Sequence, residues 1–193
     1  MAPGMAEQAQ QAIRVLHRDT VEKPDEAERC WEIYRSAFAP LACRTPMPHG
    51  SYTREQFDQL LLDRDFAKYV AYVGGSLAGL CVITTVLEKV PWVNPDYYRH
   101  RYPELYEKGR VFYLPAVVID PEHQDWRRVG AMLLSESVSS LGEEGVLAVD
   151  YSENLRSGLA SFVSRALGRD YHQETLERQV YAAYAYSKSD DTA

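Results

Sequence analysis

Arg110-Val-Phe-Tyr-Leu-Pro-Ala-Val-Val-Ile-Asp-Pro-Glu-His-Gln-Asp-Trp-Arg-Arg-Val-Gly-Ala-Met-Leu-Leu134 holds the strand, turn and helix start on which the fold depends. Val111 to Ile119 is an unbroken apolar run, too short to cross a membrane and typical of a strand buried on both faces. Asp120-Pro121 stops it, and a polar, basic turn from Glu122 to Arg128 leads into Val129, Gly130, Ala131, Met132, Leu133 and Leu134, the first turns of a helix. Free backbone N–H groups, positive charge and a helix dipole meet at such a junction, which suits an anion, and phosphate above all. The same pattern also describes a plain strand–turn–helix joint that binds nothing, so this segment alone leaves both readings open.

The 193 residues suit one domain, expected over 12–187, with flexible ends at 1–11 and 188–193. There is no internal repeat and no Pro- or Ser-rich linker. A net charge of −7, without a dense Lys/Arg face, argues against nucleic acid as a partner and leaves room for a cationic or amine substrate. Cys30, Cys43 and Cys81 fit neither a disulfide framework nor a zinc site, so reduced thiols in a cytoplasm are expected, with no metal. No apolar stretch is long enough to span a membrane, and the N-terminus lacks a signal-peptide core.

Around the central strand the order of elements is readable. Residues 13–16 make a short strand, and 25–41 an amphipathic helix with Ala27, Trp31, Tyr34, Phe38 and Leu41 on one stripe. Thr53 and Gln56 form a capping box that starts a second helix. Strands over 69–73 and 77–87 meet at Gly74-Gly75, a dipeptide suited to the positive φ of a hairpin turn. After the central strand and its helix, which ends at Leu141-Gly142, comes a strand over 146–150. A helical stripe of Leu155, Leu159, Phe162, Val163, Ala166 and Leu167 then closes at Gly168. A last strand over 180–186 is expected to pair with a short one at 171–174. The fold class is therefore α/β (α+β), a mixed central sheet of about seven strands flanked by helices.

This order, together with Val118-Ile119-Asp120-Pro121-Glu122-His123-Gln124 leaving the long strand and with Gly130 and Leu133-Leu134 opening the next helix, resembles the GNAT superfamily of acyl-CoA-dependent N-acyltransferases. The resemblance implies an acyltransferase that moves an acetyl or other acyl group from a coenzyme A thioester to an amine acceptor, either a small molecule or a peptide. It implies acetyl-CoA or another acyl-CoA as co-substrate, held by Val117, Val118 and Ile119 and by the turn of Gln124, Asp125, Trp126, Arg127, Arg128, Val129, Gly130 and Ala131. The family's loop reads Gln/Arg-x-x-Gly-x-Gly/Ala. Here Asp125-x-x-Arg128-x-Gly130 keeps its second glycine, and the alternative Arg127-x-x-Gly130-x-Met132 keeps its first two positions. The oligomeric state is left open, a homodimer among the options. So is a catalytically degenerate relative that binds acyl-CoA or another acyl thioester without transferring it.

Many family members place a Tyr four residues before the glycine that ends the helix over the cofactor, to protonate the leaving thiolate. Here that position is Ser164, whose hydroxyl is a poor acid. Tyr113 and Tyr151, at the start of the central strand and the end of the next, are the tyrosines placed to substitute for it, or else they are core. Asp150 is the best acidic candidate for a base, its alternative being a carboxylate that caps a strand end. Pro115 inside the central strand points to a bulge near 114–117, where backbone N–H groups can polarise a carbonyl. The segment from Val90 to Gly109 is longer than a hairpin connection needs and dense in Trp92, Tyr97, Tyr98, Tyr102 and Tyr106. It suits either an acceptor pocket, with Trp92, Tyr97 and Tyr98 touching the substrate, or a flap over the sheet, and Asn94-Pro95 with Asp96 can start a short helix in it. His49 and His100 read as solvated, nothing orders Cys43 with His49, and Cys81 reads as core.

Overall fold

The computed structural model describes residues 12–40, 51–123, 126–151, 159–168, 171–178 and 182. In chain order they form β1 (Ile13–Arg18), α1 (Pro24–Phe38), α2 (Arg54–Leu62), β2 (Phe66–Val73), β3 (Ser76–Thr84), α3 (Pro95–Arg101), α4 (Pro103–Glu107), β4 (Val111–Ile119), α5 (Trp126–Ser139), β5 (Val146–Ala148) and α6 (Leu159–Leu167). The strands lie in the order β1-β2-β3-β4-β5, antiparallel except for the parallel β4–β5 pair. This is the mixed sheet with flanking helices that the sequence leads one to expect.

The expectation of about seven strands is corrected to five among the described residues. Residues 171–174 form no strand; Tyr171, His172, Gln173 and Glu174 are all exposed and offer no apolar face for a sheet to bury. Glu174 instead pairs with Arg101 at the end of α3. The strand expected over 180–186 lies outside the described residues. Two strands end earlier than their apolar runs do. At the end of β3 the Thr84 hydroxyl donates to the Asp65 carbonyl at 2.7 Å and accepts from Val86 N–H, turning Leu87 to Lys89 into a single 3₁₀ turn. β5 stops at Ala148, where its ladder with β4 ends.

Local chemistry explains the joints. Thr53 and Gln56 close the capping box in both directions, at 3.2 and 2.9 Å. Gly74 and Gly75 turn the β2–β3 hairpin at φ of 58° and 89°, values a side chain resists. Alternate residues of β2 to β4 then feed two cores. One face buries Val70, Leu80, Val82, Val111 and Val118 with Ile33, Tyr34, Phe57 and Leu61 of α1 and α2. The other buries Tyr69, Ala71, Cys81 and Leu114 with Val129, Leu133 and Leu134 of α5 and Val163 of α6. α3 and α4 lie over the first face, where Tyr98, Tyr102, Leu105 and Tyr106 pack on its core. The long aromatic connection is thus two short helices, with the Asn94 side chain capping α3 at Asp96 N–H.

Candidate active site

β4 and β5 share three ladder pairs, Val111 with Val146, Phe112 with Leu147 and Tyr113 with Ala148, and then part. The same point carries an irregularity on the other side of β4: Val82 pairs with Ala116 and Thr84 with Tyr113, so β4 spends one residue more than β3. That is a bulge at Leu114-Pro115, where the proline has no N–H to give to a ladder. Its effect shows in the core. Tyr113 before the bulge and Ala116 after it lie on the same side, so the inward register passes from odd to even numbers. From Leu114 on, β4 has no strand partner on its β5 side among the described residues, which leaves alternate backbone N–H and C=O groups facing the fork.

Asp150 stands at the mouth of this fork, two residues past the last pair, with Tyr113 at its root. The Tyr113 hydroxyl donates to Asp150 Oδ1 and accepts from Trp92 Nε1 at 2.9 Å. Burial pushes the Tyr113 hydroxyl far up, and the Asp150 charge pushes it further, so this phenol holds its proton. It is an orienting donor, fixed in turn by an indole from the connection ahead of α3. Among the described residues no hydrogen bond occupies Asp150 Oδ2. Tyr98 of α3, half-buried, is pushed up to about 12 by burial and then by Asp150. Tyr52, immediately before the cap of α2, feels burial first, then Tyr34 and Asp150, and its ring centroid lies 4.9 Å from that of Trp92.

The exit of β4 is held from below. Asp120 is buried, accepts from Glu122 N–H at 3.0 Å, and forms an ion pair with Arg29 of α1. Its own N–H donates to the Ala78 carbonyl at 2.8 Å. Beyond it, Arg127, Arg128 and Ala131 are exposed on the first turns of α5, while Val129 and Gly130 are buried. Gly130 faces the sheet: a Cβ there would lie 2.6 Å from Ile119 Cδ1. Gln124 and Asp125 lie outside the described residues, as does the Trp126 side chain. Val118 is buried with the α1–α2 core, whereas Val117 and Ile119 are half-buried on the α5 side.

The structure therefore brings Asp150, Tyr113, Trp92 and Tyr98 into one cluster and leaves other expected residues outside it. Tyr151 is 48% exposed and Tyr97 also faces solvent, its ring edge-on to Tyr98 at 5.4 Å. Ser164 is half-buried on α6, and Gly168 ends that helix at φ 83°. Cys30 and Cys81 are buried, and burial pushes both thiols up to about 12, which makes them inert. Sequence reasoning passed over Tyr52 and Arg29. Tyr52 occupies the residue before an N-cap, a position that often packs inward in a hydrophobic staple, so the capping box already carried that signal. Nothing local marks Arg29, whose partner lies 91 residues away. Among the described residues no cluster of three or more His, Cys, Asp or Glu could hold a metal ion, and no helix is long and apolar enough to cross a membrane.

No family model matches the chain, and no curated protein does. Solved structures do. An aminoglycoside acetyltransferase from an uncultured soil metagenomic sample, in complex with trehalose, matches at 13% identity, covering 89% of this chain and 97% of the other with a TM-score of 0.52. A probable acetyltransferase matches at 14% identity, with 89% and 99% covered and a TM-score of 0.51. A second aminoglycoside acetyltransferase of metagenomic soil origin matches at 15% identity, with 89% and 99% covered and a TM-score of 0.50. The fold is that of the GNAT acetyltransferases.

Proposed function

We propose that this protein transfers an acetyl or other acyl group from a coenzyme A thioester to an amine acceptor. The observation that carries the reading is the fork between β4 and β5, bulged at Leu114-Pro115 and bordered by the Trp92–Tyr113–Asp150 chain. It brings together backbone donors that are unpaired among the described residues, an oriented carboxylate and aromatic side chains. The residues present fit the co-substrate. Arg127 and Arg128 stand exposed on the first turn of α5, where helix N–H groups and dipole favour the pyrophosphate, and the β4 backbone beyond Leu114, unpaired on its β5 side among the described residues, can pair with an amide-bearing arm.

A bound acyl-CoA supplies an acyl group already activated as a thioester. The chain's own work is positional and electrostatic. N–H groups of the bulged β4 segment polarise the thioester carbonyl. Asp150 orients the acceptor ammonium and, at Oδ2, takes the proton it must lose before nitrogen can attack. Tyr113, held protonated, keeps Asp150 aimed. As the C–N bond forms and the C–S bond breaks, the thiolate draws its proton from solvent, since Ser164 is no acid. The cationic acceptor suits the net charge of −7, and the buried thiols suit the reducing cytoplasm.

Ser164, where many relatives by resemblance carry Tyr, favours a second reading in which acyl-CoA binds without transfer. One experiment separates the two: calorimetric titration with coenzyme A and acetyl-CoA, followed by thiol release from acetyl-CoA with a panel of primary amines. Binding with amine-dependent thiol release is expected. Binding without release leaves the second reading, and no binding removes both.

A further inference from the structure

Tyr52 is 6% exposed, yet its hydroxyl is the one buried side-chain polar atom with no hydrogen-bond partner among the described residues. Buried hydroxyls are nearly always paired, so such an exception calls for a physical reason. Tyr52 is held at both ends. Its backbone N–H donates to the Tyr34 hydroxyl at 2.7 Å, and its ring meets Trp92 at 4.9 Å with a 59° tilt. Trp92 in turn grips Tyr113, and Tyr113 grips Asp150. Tyr52, Trp92, Tyr113 and the exposed Asp150 thus form one chain of contacts, drawn from the connection before α2, the segment entering α3, β4 and the stretch after β5, with Tyr98 of α3 packed on the same core. Trp92 therefore links the Tyr52 ring to the carboxylate by way of Tyr113, and the Asp150 charge, in keeping with that arrangement, adds to burial in pushing up the hydroxyls of Tyr52, Tyr98 and Tyr113.

We propose that Tyr52 determines acceptor specificity: its hydroxyl oxygen and the Asp150 carboxylate together accept hydrogen bonds from an ammonium carried on a flat apolar body, which lies against the rings of Trp92 and Tyr98. The inference rests on the acyltransferase reading for its chemistry and extends it to the class of acceptor. The aromatic walls fit a planar apolar group, and π-faces attract the cation as well. A primary ammonium can satisfy both oxygens and still give one proton to Asp150. A neutral alcohol of the same shape can donate to one of them only, and a sugar-like polyol would set its hydroxyls against ring faces.

The probe is 2-phenylethylamine, with 2-phenylethanol as its neutral counterpart, on the full chain. Calorimetry measures binding, thiol release from acetyl-CoA measures turnover, and thermal melting reports folding. The amine is expected to bind at least about tenfold tighter than the alcohol, since charge-assisted hydrogen bonds are the stronger ones. Tyr52→Phe should raise Kd and KM for the amine roughly tenfold, with kcat within about twofold and coenzyme A affinity unchanged. Its melting temperature should hold or rise, because the variant removes an unsatisfied hydroxyl. Asp150→Asn, on an exposed residue, should abolish the preference for amine over alcohol even if Tyr52→Phe does not fold. Failure of the wild-type protein to bind the amine, or an unchanged amine Kd in folded Tyr52→Phe, overturns the assignment. So does a retained amine preference in Asp150→Asn. Amine binding lost in Tyr52→Phe but without thiol release from the wild type keeps Tyr52 as a recognition residue and sinks the transfer reading instead.

Discussion

An alanine at position 130 would bring its Cβ to 2.6 Å from Ile119 Cδ1, so the Ile119 side chain would have to move. Two effects of similar size then compete. Alanine in a helix interior gains about 1 kcal/mol over glycine, and crowding a packed contact costs roughly 1–3 kcal/mol. Gly130→Ala should therefore lower stability by about 1 kcal/mol, whereas in an Ile119→Val background, which lacks Cδ1, it should raise it. A urea-denaturation cycle over the four proteins measures both signs, and additivity across the cycle would contradict the contact. From sequence, Gly130 reads as room for a phosphate, because a glycine at a helix start carries no record of the strand residue it will meet. Lys68 gives a second residue-scale prediction. It is buried with its Nζ donating to the Asp19 carbonyl at 2.8 Å and to the Asp63 carbonyl, and burial pushes its pKa down to about 8, against the pull of Asp63, Asp19 and Asp65. The unfolded chain holds this proton to about pH 10.4, so between the two values it binds more protons than the folded one and stability rises with pH. Below about pH 8 both states are charged and the burial penalty is present in full. The unfolding free energy of the wild type minus that of Lys68→Met should climb from pH 8 to 10, and a flat difference would show that Lys68 titrates normally.

At the scale of elements, α3 and α4 form a flap held by charges on its rim and by rings beneath. Arg99 pairs with Asp96 and Glu88, and the Tyr106 hydroxyl donates to Glu88 at 2.6 Å, which ties the flap to the 3₁₀ turn after β3. Tyr97 and Tyr98 stand at its edge, one exposed and one half-buried beside Asp150, while every residue proposed to meet coenzyme A follows Gly109 in the chain. Replacing both tyrosines by Ala should raise the acceptor KM and leave coenzyme A affinity nearly unchanged, both measured on one folded protein. Loss of cofactor affinity with an intact KM would reverse the assignment of sides. On α6, Ser164→Ala should change turnover by less than about tenfold, since losing a true general acid costs 10²–10⁴; a hundredfold drop at equal stability would make Ser164 a participant. The aromatic richness of the flap was legible, as was its helix start at Asn94. Its attachment was not, because Arg99 and Glu88 are a generic surface pair until the fold brings them within reach.

For the whole molecule, the order of elements was readable because each apolar run is punctuated: Gly74-Gly75 between β2 and β3, Asp120-Pro121 after β4, Gly142 after α5, Gly168 after α6. What the sequence could not yield was the chain of contacts that joins Tyr52, Trp92, Tyr113 and Asp150. These residues come from separate segments, and their meeting depends on the order in which the strands pair. Nor was the length of β5 legible, since Val149 continues the apolar pattern beyond the point where pairing ends at Ala148. That brevity bears on how the protein behaves over time. Among the described residues β5 is three residues long and pairs with β4 alone, a weak cooperative unit that opens far more often than β2 or β3, whose neighbours clasp them on both sides. Amide protons of Val146, Leu147 and Ala148 should accordingly exchange with deuterium well before those of Val70 or Leu80. A ligand wedged into the fork bridges the two strands and resists that opening, so saturating coenzyme A should slow exchange across β5 while the β2–β3 hairpin keeps its rate.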